Sequence, residues 1–233
     1  MMWEKILELL LPNPSMCVLC ESRAETLTIC DGCQAQWQLF AMREGQCRRC
    51  GHYGTRAAVC DTCRDWPTYF TGNTAFLPYN EAVREAILRF KYHGEPWRAD
   101  GFAVLFAERP APAVDLIVPV PLHKARLRER GYNQSWLLAK QLAAVWQVPA
   151  RQDLLVRVVN TRHQVGLSRH ERAQNVSQAF AVPERAKKVL RGQRVLLVDD
   201  VMTTGSTLLA CARTLHAAGV REVQSLTLAA AIR

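Results

Sequence analysis

No apolar run in these 233 residues reaches the roughly 18 that a membrane-crossing helix needs, so a transmembrane protein is not expected. The opening stretch MMWEKILELLLP is greasy, but it contains Glu4 and Glu8 and no small-residue cleavage site, which argues against a secretory leader. Trp3, Ile6, Leu7 and Leu10 instead share one helical face and predict a short amphipathic docking helix over 1–14. A cytoplasmic location, or a peripheral one at the inner face of the membrane, is therefore expected. No G-x-x-x-x-G-K-[ST] motif occurs, which excludes a P-loop. Low complexity is missing too: 49% hydrophobic and 22% charged residues describe a chain that builds a packed core. The length suits one ordinary domain of roughly 100–200 residues and a small extra module.

Acidic residues are scarce through the middle of the chain. Between Leu122 and Arg194 there are 4 Asp and Glu against 15 Lys and Arg, 11 of the latter being Arg. Residues 1–72 hold 8 acids and 7 bases, of 21 and 30 in all, so the net +9 resides in the later part. Arginine's planar fork suits bidentate phosphate binding. The basic segment points to a polyanionic partner, either nucleic acid or a pyrophosphate-bearing small molecule, with solvated helix faces as the plainer alternative.

Eight of the nine cysteines form four C-x-x-C pairs: Cys17/Cys20, Cys30/Cys33, Cys47/Cys50 and Cys60/Cys63. The second four repeat the first at an offset of 30 residues. Two residues between cysteines let a tight turn aim both thiolates at one ion, and two such knuckles complete a tetrahedron of sulfurs. A disulfide framework belongs to secreted chains, and a redox pair would need only one C-x-x-C, so structural Zn²⁺, two ions in all, is the expectation. Sequential and cross-braced ligation use the same cysteines and stay open. Four thiolates around a divalent ion carry a net −2, so metallation would take residues 1–72 from −1 to about −5. A double zinc ribbon over 15–66 is thus expected to fold and dock rather than to grip nucleic acid, with Arg48 and Arg49 as local contacts. Cys211 sits in a helical pattern and reads as a small core residue.

Beyond Asp115, strands and helices alternate. DLIVPVP, LLVRVV, RVLLVDD and EVQSLTLAA read as strands; NQSWLLAKQLAAVWQ, begun by Asn133, and GSTLLACARTLHAAG read as helices. That alternation predicts an α/β domain over 67–233, a largely parallel sheet with helices on both faces. The buried-type strand Val195–Val198 ends in Asp199 and Asp200, followed by Val201, Met202, Thr203, Thr204, Gly205, Ser206 and Thr207. A Thr/Gly/Ser loop opening a helix offers backbone N–H groups, hydroxyls and a positive dipole end to a monophosphate. Two carboxylates just before it suit sugar hydroxyls or a bridging Mg²⁺; a helix cap with incidental acids is the bland alternative.

VLLVDDVMTTGST resembles the phosphoribosyl pyrophosphate (PRPP) signature of type I phosphoribosyltransferases. The resemblance implies that Asp199 and Asp200 hold the ribose hydroxyls and order Mg²⁺, and that Thr203, Thr204, Gly205, Ser206 and Thr207 cradle the 5-phosphate. It also implies a pyrophosphate loop at Pro119, Val120, Pro121, Leu122, His123 and Lys124, with Arg126, Arg128 and Arg130 nearby. The whole chain is similar to the ComF competence-protein family, which joins a double zinc ribbon to a phosphoribosyltransferase-like domain. The four cysteine pairs, PVPLHKARLRERGYNQS, the segment 161–180 with Gln164, Leu167, Arg172, Asn175 and Phe180, and the PRPP signature carry that likeness. In the enzyme family the region of 161–180 closes over pyrophosphate. The family implies handling of imported single-stranded DNA in natural transformation or DNA utilisation, alongside DNA-uptake proteins.

Two functions follow. In the first, the fold binds PRPP or a nucleotide while the Arg-rich surface and aromatics hold single-stranded DNA. In the alternative, an active Mg²⁺-dependent phosphoribosyltransferase uses Lys124, Arg126 and Arg128, with Arg162, Arg169 and Arg172 arriving on the loop, to neutralise pyrophosphate. The sequence stops at Arg233, directly after the last predicted strand, so a base-gripping hood is expected from 67–112. Tyr79, Phe90, Tyr92, His93 and Trp97 are its candidate stacking residues, core packing being the plainer reading.

Overall fold

The computed structural model describes residues 16–24, 28–107, 109–159 and 178–233. The expected helix over 1–14 and the residues Arg162, Gln164, Leu167, Arg169, Arg172 and Asn175 lie outside the described residues. Eight helices are described: α1 (Asp31–Glu44), α2 (Asp61–Arg64), α3 (Glu81–Tyr92), α4 (Arg98–Ala107), α5 (Lys124–Arg130), α6 (Gln134–Trp146), α7 (Glu184–Leu190) and α8 (Ser206–Ala217). The described strands are β1 (Phe70–Pro78), β2 (Leu116–Pro119), β3 (Val156–Arg157), β4 (Phe180–Ala181), β5 (Arg194–Met202) and β6 (Glu222–Ala230).

The main sheet has the order β1-β6-β5-β2. All three of its pairings are parallel. A sheet of this kind is buried on both faces, and side-chain alternation sorts each strand between two cores. Along β5, Val195 and Leu197 enter one core and Leu196 and Val198 the other. The first core takes α7, α8 and Cys47, Cys50, Cys60 and Cys63; the second takes α3, α4, α6 and Cys17. The cysteine-rich segment thus straddles the sheet, one half-module against each face.

Local chemistry sets the helix starts. Asn80 accepts from the Val83 N–H and Asn133 from the Ser135 N–H, caps worth about 1 kcal/mol each. Asp115 clasps Arg194 at the entrance to the β2/β5 pair, its carboxylate accepting from the Arg194 backbone N–H at 2.8 Å and from Nη2 at 2.6 Å.

Two expectations need correction. LLVRVV is not a strand of the main sheet: only Val156–Arg157 is extended, paired antiparallel with Phe180–Ala181. Leu154 and Leu155 both enter the same core, which consecutive residues of a strand cannot do. The segment 67–112, expected as a hood, contributes β1, an edge strand of the sheet hydrogen-bonded along β6. Its aromatics divide accordingly. Phe90 is fully buried, Tyr79 and Trp97 pack against the second core, and Tyr92 stands 59% exposed.

Candidate phosphate site and metal centres

The two cysteine groups are sequential, Cys17, Cys20, Cys30 and Cys33 in one and Cys47, Cys50, Cys60 and Cys63 in the other, with all ligand atoms of each within 4.8 Å of one another. The duplication is geometric as well as textual. Glu21 N–H donates to the Cys17 carbonyl and Gly51 N–H to that of Cys47, both at 2.9 Å, and both residues have positive φ. Cys30 N–H points at Cys17 Sγ at 3.4 Å, and Cys60 N–H at Cys47 Sγ at 3.3 Å. Sulfur separations are 3.7 Å for Cys20/Cys30 and 3.5 Å for Cys47/Cys63, Cys50/Cys60 and Cys60/Cys63. A tetrahedron with arms of about 2.3 Å has edges of about 3.8 Å, so each group fits one metal ion. Arg49, expected as a local contact of the module, turns inward: its guanidinium donates to the Arg64 and Trp66 carbonyls at 3.2 and 2.9 Å.

At the carboxyl end of the sheet, where open parallel sheets bind ligands, β5 delivers Asp199 and Asp200 side by side. Ser135 Oγ and the Asp200 N–H both donate to Asp199 Oδ1 at 2.9 Å. Burial, and after it the adjacent Asp200 charge, push the Asp199 carboxyl up to about 7, against the opposing pull of Lys91 and these two hydrogen bonds. Asp200 is 3% exposed and its Oδ1 lies 2.7 Å from Lys91 Nζ. Burial pulls Lys91 downward; the Asp200 and Asp199 charges more than offset it and hold the ammonium above its ordinary range. Asp200 Oδ2 is buried with no hydrogen-bond partner. Such an orphaned carboxylate oxygen is costly unless a ligand meets it, so the pair fits a polar or cationic guest.

The loop that follows turns at Gly205, whose φ of +79 is the left-handed conformation glycine adopts freely. Thr204 Oγ1 and Ser206 Oγ lie 2.9 Å apart, and Ser206 and Thr207 open α8. Thr203 is exposed and Thr204, Ser206 and Thr207 are half-buried. The loop therefore presents hydroxyls and the helix N-terminus beside the two acids, the Ser206 N–H reaching Thr204 Oγ1 at 3.4 Å.

Across from it, Val120 and Pro121 are buried after β2, and the Val120 carbonyl accepts from Asn133 Nδ2 at 3.1 Å. Arg126 and Arg130, one turn apart on α5, line a cleft of about 300 Å³ with Lys91, Tyr92, Gly94 and Glu129. The Arg130 guanidinium sits 4.8 Å over the Tyr92 ring. Lys124 and Arg128, also one turn apart, are exposed outside that cleft. Arg157 stands close enough to Arg126 to be pushed below its ordinary range, after burial, by that charge. Cys211 is fully buried and its thiol is driven far up by burial.

Lys91, Ser135, Arg157, His52 and Trp66 are the neighbours of this site that sequence reading did not single out. Each reaches it from a distant segment without a motif of its own; only the Ser135 position, just inside the Asn133 cap, carries a local signal. Among the described residues no helix is long and apolar enough to cross a membrane.

The phosphoribosyl transferase domain family matches residues 134–233. The chain is 34% identical to Competence protein F of Haemophilus influenzae over 215 residues, 87% of this chain and 90% of that one. It is 28% identical to Competence protein ComFC of Bacillus subtilis, covering 96% and 88% of the two chains, and 30% identical to DNA utilization protein YhgH of Salmonella typhi, covering 92% and 96%.

Proposed function

We infer a function from one premise: this chain belongs to the ComF competence-protein family. Its role is in competence and DNA utilisation, and we propose that it handles imported single-stranded DNA while its phosphoribosyltransferase fold binds PRPP or a nucleotide. The observation that carries the ligand is the buried, partnerless Asp200 Oδ2 beside a Thr/Gly/Ser loop at the carboxyl edge of the sheet. Asp199 and Asp200 would meet ribose hydroxyls, and residues 203–207 the 5-phosphate. Arg126 and Arg130 would meet the pyrophosphate, with Val120, Pro121 and Lys124 shaping its loop. Arg128 stays at the rim, and Arg162, Gln164 and Arg172 would arrive with the segment between β3 and β4. Asp199 and Asp200 would also help hold Mg²⁺ with PRPP, and the ion would supply charge neutralisation to the pyrophosphate. The two cysteine groups are read as structural Zn²⁺ sites, since four sulfurs leave no open coordination position.

For DNA, the same basic rim supplies phosphate contacts, and exposed Tyr92 backed by Arg130 supplies a stacking platform. On this reading its place is cytoplasmic, or peripheral at the inner membrane face, where DNA-uptake and processing proteins would be its partners. Fluorescence anisotropy with labelled single-stranded oligonucleotides tests this. Affinity should fall steeply between low and physiological salt, and Tyr92→Ala should weaken it by about tenfold. Binding that ignores salt would overturn the DNA reading.

The Lys91–Asp200 ion pair favours a second reading, an active phosphoribosyltransferase, because it fixes the Asp200 side chain against Lys91, which lines the cationic cleft. Incubation with PRPP, Mg²⁺ and a panel of bases should then release pyrophosphate, and Asp200→Asn should abolish the release. Silence across the panel with PRPP still bound would leave the fold as a ligand-binding module.

A further inference from the structure

The two cysteine knuckles are near copies, and they differ where it matters for the phosphate loop. Ser22 and His52 hold equivalent places, 30 residues apart, and each approaches a cysteine of its own group: Cys20 Sγ to Ser22 Oγ at 3.1 Å, Cys50 Sγ to His52 Nδ1 at 3.2 Å. The serine ends there. The imidazole continues, and its Nε2 lies 2.6 Å from the Thr203 carbonyl. A carbonyl only accepts, so Nε2 carries the hydrogen. His52 is 1% exposed, and the loop it touches begins the candidate phosphate cradle.

Holding that carbonyl fixes more than one atom. In a trans peptide the C=O and the following N–H point in opposite directions. With the Thr203 carbonyl turned toward the cysteine module, the Thr204 N–H is turned away from it, as a donor for an anion in the loop. Were this peptide to flip, a carbonyl would face the anion instead. A second contact comes from the same module. Trp66, 8% exposed, packs beneath Gly205 so closely that a Cβ there would meet its Cζ2 at 3.0 Å. Arg49 secures Trp66 by donating to its carbonyl at 2.9 Å.

We propose that His52 and Trp66, carried by the second cysteine group, are positioning residues that orient the Thr203–Thr204 peptide and seat the phosphate loop. This rests on the reading of 203–207 as a phosphate cradle. The test uses the full chain with its metal content measured. His52→Phe keeps the ring and removes the donor; His52→Gln keeps an N–H of similar reach. Hydrogen exchange of the 203–207 amides, without ligand, should be faster in His52→Phe and return to the wild-type rate in His52→Gln. Calorimetric affinity for PRPP with Mg²⁺ should fall on the order of tenfold in the first and recover in the second. Trp66→Leu leaves every cysteine in place and should loosen the same amides. Unchanged exchange in both His52→Phe and Trp66→Leu, or equal losses in the two His52 variants, would overturn the proposal. A wild-type protein that binds no PRPP would overturn the ligand reading instead, while the exchange comparison still decides the positioning role.

Discussion

Two adjacent carboxylates on one buried strand end repel each other, and the fold answers with unequal surroundings. Asp200 has the direct Lys91 ion pair; Asp199 has the Lys91 charge and two hydrogen bonds set against burial and the Asp200 charge, and its carboxyl still rises to about 7. A raised acid is protonated in the fold where the unfolded chain is already ionised, so it costs stability as pH climbs from its ordinary 3.8 toward 7. Asn at 199 still accepts from Ser135 and from the Asp200 N–H but has no charge to bury. Asp199→Asn should therefore gain thermal stability over wild type from about pH 5 to 7, level off above, and bind Mg–PRPP more weakly. Parallel melting curves across that range would refute the assignment. At this scale the acids and loop residues were legible because they are contiguous in sequence. Lys91 and His52 were not, because each is brought to the site by another element.

Elements were legible wherever one periodicity acted alone. β5, β6, α6 and α8 stand where the apolar runs and the Asn133 cap placed them. LLVRVV failed because a β-rich run says nothing of which face each leucine must fill. β1 was missed as a sheet strand because its pairing with β6 depends on residues more distant in the chain than any local pattern senses. One long-range clasp at this scale is testable. Arg194 holds the Asp115 carboxylate down at about 2, through side-chain hydrogen bonds first and the backbone N–H after. The stabilisation is complete above the ordinary 3.8 and lost only as pH falls through 2, so it is constant over about pH 5 to 8. Asp115→Asn should lower the melting temperature by at most about 2–4 °C, since the pair is solvent-screened, and by the same amount at both ends of that range. A penalty that varies with pH there would assign the effect to another group.

At the scale of the whole molecule, the sequence suggests a ribbon that chelation would unfold over 15–66 while the α/β domain persists. The packing argues for a different outcome. Cys47, Cys50, Cys60 and Cys63 share a core with Val195, Leu197 and α8, and Cys17 shares the other with Phe76 and α4. Backbone bonds stitch the same surfaces together: Asn73 N–H to the Arg49 carbonyl at 2.8 Å, and Arg233 N–H to that of Tyr53 at 3.0 Å. A structural zinc site is worth about 10–16 kcal/mol, comparable to the roughly 5–15 kcal/mol of a whole domain, so losing it from a shared core should be felt by the sheet. Metal removal by chelator should lower the main thermal transition of the entire chain and loosen the β1 and β6 amides in hydrogen exchange, with the 203–207 loop among the first to go. Should the apo protein keep β1 and β6 protected at the holo level, the cysteine module is a detachable appendage and its contacts with the sheet contribute little.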